Sequence, residues 1–224
     1  MEWHVTDAQS LATIDREIGG AFALMYPERD ALSPASPREY RHFSLAEYEI
    51  IRRVIYATGD FEYKTLIEFS ERSLQAAAAA LASRSSIVVD TTTVQAGIIK
   101  NVQNSFANPV YCAMEAQTRP QKQKTVAAWG MEALAKRYPE GIFVVGQDPT
   151  ALKTLVELIE AEKIRPVLII ATPPKFMHMD IDAKKQTLTE LSIPNITIKN
   201  QKGGAIVAAA ILDGLIDLAW EAYG

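Results

Sequence analysis

The feature that most constrains this chain is a rhythm in its second half. Short apolar, β-branched runs occur at Ile87–Val89, Val110–Cys112, Ile142–Val145, Val167–Ile170 and Ile196–Ile198. Stretches of helical length separate most of them, near 119–137, 149–162, 183–191 and 204–222. Runs that are apolar at every position, rather than at alternate ones, suit strands buried on both faces. Helices between them supply the crossovers that parallel strands require. The pattern therefore predicts a three-layer α/β/α fold around a parallel sheet of about five strands. An N-terminal helical segment precedes it. Ser44-Leu45-Ala46-Glu47 is a capping box, Ile50, Ile51, Val54 and Ile55 follow at helical spacing, and Gly59 is a suitable stop. A second helix is expected near 71–83, and Asp148-Pro149 reads as N-cap and first helical residue.

At 224 residues the chain is long enough for one sizeable core and is read as a single domain, 1–224. The three prolines and many charges of 26–43 mark a loop-like excursion. The formal charge is -4, from 23 basic and 27 acidic residues, and no basic stripe with interleaved aromatics appears. Nucleic acid is therefore not an expected partner. No apolar run approaches a membrane span, and the polar N-terminus does not read as a signal peptide. The single cysteine, Cys112, cannot form an intrachain disulfide, which makes a reducing cytoplasm the expectation. It follows an apolar run and reads as core.

In an open parallel sheet, ligands bind beyond the carboxyl ends of the strands. The residues at those positions are Asp90 and Thr91–Thr93, then Glu115, Thr118 and Arg119. Gly146, Gln147, Asp148 and Thr150 follow the third run, Thr172 to Lys175 the fourth, and Lys199 to Gly204 the fifth. Hydroxyls, cations and glycines dominate. Arg119 can grip a carboxylate through paired hydrogen bonds, Lys175 and Lys202 add point charges, and Gly203-Gly204 before a helix offers backbone amides to an anion. The set suits a polyanion. Neither a dinucleotide fingerprint nor a P-loop is present, and no cluster has metal-ligand spacing, so no metal and no cofactor are expected. Asp60 and Glu62 read as structural, His4 and His42 as surface residues, and His178 as a loop residue near the pocket.

Several motifs run in order through these same positions. Arg53-Val54-Ile55-Tyr56-Ala57-Thr58-Gly59-Asp60-Phe61-Glu62 is similar to a stretch of the precorrin-8X methylmutase family in which histidine stands where this chain has Tyr56. Ser10 with Ile14, Asp90-Thr91-Thr92-Thr93-Val94 with Gly97-Ile98, Thr118-Arg119, Gly146-Gln147-Asp148-Pro149-Thr150-Ala151-Leu152 and Lys202-Gly203-Gly204 resemble further family motifs. Six in register span about residues 10 to 212. The resemblance implies a flavodoxin-like sheet, a homodimer with the site near its interface, and no redox cofactor. It implies a methyl shift from C11 to C12 of a corrinoid tetrapyrrole bearing acetate and propionate arms, a step of cobalamin biosynthesis. By the same resemblance Tyr56 is the catalytic position. Ser10, Thr91, Thr92, Thr118, Arg119, Gly146, Thr150, Lys175, Lys202, Gly203 and Gly204 are the substrate-binding candidates. A phenol is neutral at pH 7 and can still donate a hydrogen bond. Arg119 or Lys202 nearby would lower its pKa and favour proton donation. Two other readings stand beside this one: a non-catalytic corrinoid-binding or carrier protein of the same family, and an unrelated flavodoxin-like module for phosphate ligands.

Overall fold

The computed structural model describes residues 5–22, 43–116, 124–174, 187, 188 and 190–224. The N-terminal segment forms α1 (Val5–Phe22) and α2 (Leu45–Thr58), followed by a single helical turn, α3 (Tyr63–Leu66). The elements then run β1 (Ile67–Phe69), α4 (Ser73–Ala82), β2 (Ile87–Val89), α5 (Thr92–Asn104) and β3 (Val110–Cys112). A 3-10 turn (Ala113–Glu115) leads to α6 (Val126–Arg137), β4 (Ile142–Val145), α7 (Pro149–Glu160), β5 (Leu168–Ala171), β6 (Asn195–Ile198) and α8 (Ala205–Tyr223). The 26–43 excursion lies outside the described residues except for Phe43.

The six strands form one sheet in the order β1-β6-β5-β4-β2-β3. From β6 to β3 all pairings are parallel. Taken alone, those five strands have the flavodoxin order, and the order reverses between β2 and β4. Two expectations are corrected. The sheet has six strands rather than about five, and it is not wholly parallel: β1 adds to the outer edge antiparallel to β6, Ile67 facing Ile198. Three residues directly after a helical turn carry no periodicity that would announce a strand. Helix α5, also not placed from sequence, begins with two threonines and a valine, all weak helix formers. Packing decides in its favour, because Val94, Ile98 and Val102 bury one face at helical spacing.

The strand side chains divide by parity. Ile87, Val89, Ile142, Val144, Leu168, Ile170, Ile196 and Ile198 join a core beneath α4, α5 and α8, with α2 packed on α8 and α1 on α2. Val88, Phe143, Val145, Ile169 and Ala171 face the other way, onto α6 and α7. That two-sided burial is what the unbroken apolar runs predict.

Local signals hold at the helix ends. The Ser44 Oγ accepts from the Glu47 amide at 3.2 Å, and the Ser44 amide donates to Glu47 Oε2 at 2.7 Å. Gly59 closes α2 in the left-handed conformation, φ 68°, its amide donating to the Ile55 carbonyl. One turn earlier Arg53, buried, fixes the helix against its neighbours. It pairs with Glu49 at 2.9 Å and with Asp217 of α8 at 2.7 Å. Asn101 of α5 donates to Asp213 and Asp217 at 2.7 and 2.8 Å. These bonds set where the end of α2, and hence Tyr56, arrives.

Candidate functional site

The carboxyl ends of β2 and β4 meet at the order reversal, where an α/β sheet opens a crevice. Asp90 occupies that point and is fully buried. Its Oδ2 accepts from the amides of Gln147 and Asp148 at 2.7 and 2.8 Å, tying the loop after β4 to the end of β2. Its Oδ1 and the adjacent Thr91 Oγ1 are buried without a hydrogen-bond partner among the described residues. Burial raises the Asp90 pKa above the ordinary carboxyl value, and the amides of residues 146–148 oppose that rise. The loop is braced further. Asp148 caps α7, accepting from the Thr150 and Ala151 amides at 2.7 and 3.2 Å, and its second oxygen takes a hydrogen bond from Thr125, the N-cap of α6.

Gly146 opens this loop, and packing explains it. A Cβ there would stand 2.7 Å from Val94 Cγ2 and 2.8 Å from the Ala205 backbone. Only glycine lets α5, β4 and the start of α8 approach so closely. Of the neighbouring hydroxyls, Thr92 is exposed in the first turn of α5, and Thr150 is half-buried in the first turn of α7.

The glycine pair before α8 differs from the sequence expectation. Both residues have positive φ, 141° and 119°, and a Cβ on Gly203 would lie 2.1 Å from the Thr172 carbonyl oxygen. Their amides do not stand open for an anion. That of Gly204 donates to the Thr172 carbonyl at 2.7 Å, and that of Gly203 bonds to the Tyr63 hydroxyl. Lys202 is likewise not a free charge. Its Nζ sits 2.5 Å from Asp60 and 2.7 Å from Glu62, which raises its pKa and holds that of Asp60 down. Asp60 and Glu62 thus have the structural part expected of them, clamping the end of α2 to the loop after β6.

That clamp carries Tyr56 to the same edge of the sheet. Tyr56 is 40% exposed in the last turn of α2, and its hydroxyl donates to Asp7 Oδ1 of α1 at 2.7 Å. The hydrogen bond to Asp7 is the main reason that its pKa moves up from the ordinary tyrosine value. Of the two cations expected to make the phenol more acidic, Lys202 is committed to Asp60 and Glu62, and Arg119 lies outside the described residues. Ser10 lies one turn beyond Asp7 on α1, its hydroxyl bonded to the Thr6 carbonyl at 3.0 Å. Thr118, Arg119 and Lys175 lie outside the described residues, as do His4, His42 and His178. Cys112 is buried, as expected. Among the described residues no group of three His, Cys, Asp or Glu is placed to hold a metal, and no helix is long and apolar enough to cross a membrane.

Sequence reasoning passed over Asp7, which belongs to no motif and is recognisable only from its partner. It enumerated Asp90 without giving it a role, although an acid directly after an all-apolar strand is a usable signal. The fold and site together define an α/β protein of flavodoxin strand order, with a hydroxyl- and glycine-lined crevice at the strand ends. The precorrin-8X methylmutase family model matches residues 7–218, nearly the whole chain. Cobalt-precorrin-8 methylmutase of Synechocystis sp. is 36% identical over 194 residues, covering 80% of this chain and 88% of that protein. The enzyme of the same name from Methanocaldococcus jannaschii is 33% identical over 179 residues, covering 79% and 82%. A crystal structure of precorrin-8x methyl mutase from Thermus thermophilus superimposes with a TM-score of 0.77 at 28% identity, covering 99% of this chain and all of that one. The chain belongs to the precorrin-8X methylmutase family, whose members are isomerases.

Proposed function

We propose that this protein moves a methyl group from C11 to C12 of precorrin-8X or cobalt-precorrin-8 in cobalamin biosynthesis, with the macrocycle held at the carboxyl edge of the sheet. The observation that carries the reading is the position of Tyr56. The residue standing in place of the family's histidine is exposed at that edge and anchored by α1. The hydroxyls of Thr92 and Thr150 supply polar contacts nearby, whereas that of Thr91 is buried beside Asp90. Gly146 and Gly203 shape the crevice through close backbone approach, and Gly204 through its positive φ. Ser10 flanks the Tyr56 end. Arg119 and Lys175, with Thr118, are the groups proposed to meet the carboxylate arms, because Lys202 is already paired. The protein is proposed to work in the cytoplasm as a homodimer, without nucleic acid or membrane as partner.

Turnover of both substrate forms, followed by the change in corrinoid absorption, tests the reading. Conversion is expected for the wild type and loss of conversion for Tyr56→Phe; Tyr56→His is expected to turn over at least as well as the wild type. A protein that purifies coloured with bound corrinoid yet converts neither form is a binding protein and not an isomerase.

A further inference from the structure

Tyr56 and Asp7 belong to different helices, separated by 49 residues, yet their side chains meet at 2.7 Å. Both helices are held independently of that bond. On the same pair of helices Tyr48 donates to Asp15 at 2.6 Å, and Arg52 donates to Asp15 at 3.1 Å. The network around Arg53 fixes α2 to α8. The Tyr56 hydroxyl thus meets a carboxylate brought to it by rigid elements.

A phenol has one proton and two lone pairs. When the proton points into a carboxylate, the outward face of the oxygen is an acceptor. We infer that Asp7 is the positioning residue for Tyr56: it fixes the hydroxyl rotor so that Tyr56 meets the macrocycle as a hydrogen-bond acceptor, polarised by the carboxylate behind it. The inference rests on the reading of Tyr56 as the residue that meets substrate.

Its chemical consequence differs from that of a proton-donating residue. An acceptor backed by an anion favours a ligand group that carries a proton and positive charge. Burial of the pair under a large ligand strengthens that preference, because the local dielectric falls. The dyad therefore stabilises the protonated form of the macrocycle. The proton itself comes from solvent, and no bond to Tyr56 or Asp7 is made or broken. Asp7 is the charged group bonded to the phenol from α1. On α2 the nearby charges, Arg52 and Arg53, are engaged by Asp15, Glu49 and Asp217.

Two measurements separate the outcomes. The first is near-ultraviolet titration of the phenols, taken as the difference between the wild type and Tyr56→Phe, which isolates Tyr56 without needing substrate. Tyr56 should titrate above the ordinary value of about 10. Asp7→Asn, which keeps an acceptor oxygen but removes the charge, should bring the midpoint down. An unchanged midpoint overturns the inference. The second is steady-state kinetics at matched stability. Asp7→Asn should lower kcat with little change in KM, and Asp7→Ala should lower it further, on the order of a hundredfold. Asp7→Glu should restore part of it. If Asp7→Asn and Asp7→Ala turn over like the wild type while Tyr56→Phe is inactive, the positioning role fails and the catalytic role of Tyr56 stands. If Tyr56→Phe is fully active, both fail.

Discussion

The two ends of the sheet differ both in room and in chemical character. At the amino ends of β5 and β6 lies a groove of about 1070 Å³, floored by the alanine face of α4 and flanked by Arg72 and Arg165. The carboxyl end holds tighter ground: a buried carboxylate, hydroxyls at helix starts, glycines that a Cβ would block, and Tyr56 held by Asp7. On the proposed reading, position in the topology outranks volume. In a parallel sheet the loops that carry chemistry follow the strands, and the reversal of strand order opens the crevice there. The amino end receives helix C-termini and short return loops, and its large groove records how small alanine side chains are.

The sharpest way to break that comparison is Gly203→Ala. The added Cβ would overlap the Thr172 carbonyl oxygen at 2.1 Å, on a backbone with φ 141° that side chains disfavour. The loop after β6 must shift, taking the Lys202 clamp and the start of α8 with it. Unfolding in urea should show a loss of about 3 kcal/mol, and turnover should fall by more than the stability loss alone explains. A variant with wild-type stability and turnover would mean that the carboxyl edge is far more pliable than its packing suggests.

Asp90 gives the next largest effect, with a sign that depends on pH. Asp90→Ala strands the Gln147 and Asp148 amides in a buried place, a cost of about 2–3 kcal/mol at neutral pH. Asp90→Asn keeps an acceptor and should cost less. Because the Asp90 pKa is raised in the fold, the folded protein retains this proton over a range where the unfolded chain has lost it. The contribution of this group to stability therefore declines as pH climbs above about 4 towards the folded value. Across that range Asp90→Asn should gain on the wild type. Parallel stability curves for the two proteins would show that burial does not strain this carboxylate.

Much of this architecture is legible in the sequence because it is periodic or local. Three of the five apolar runs coincide with their strands residue for residue, and Val167–Ile170 is displaced by one residue from β5. The capping box, the Gly59 stop and the Asp148-Pro149 start depend on neighbours a few residues away, and all are present. Reading just past each strand also points to the edge where the structure places Asp90, Gly146 and Gly203. What escapes is set by distance along the chain. Lys202 and its partner Asp60 lie 142 residues apart in sequence, and nothing near Gly203 announces that Tyr63 and Thr172 will take up the adjacent amides. A motif can name Tyr56 but not Asp7, because their meeting depends on how two helices pack.

The smallest expected effect tests the other half of the comparison. Ala79, in α4, lines the amino-end groove and is exposed. Ala79→Met adds volume to that groove while keeping a good helix former, at an intrinsic cost of a few tenths of a kcal/mol. Part of that cost is offset as the new side chain covers apolar surface. Stability should stay within about 0.5 kcal/mol of the wild type, and kcat and KM for the corrinoid should not move. Substrate that occupied this groove would be displaced by the methionine, so a marked rise in KM would move the binding site to the amino end. Unchanged kinetics, beside the losses expected for Gly203→Ala and Asp90→Ala, place the chemistry where the strands end.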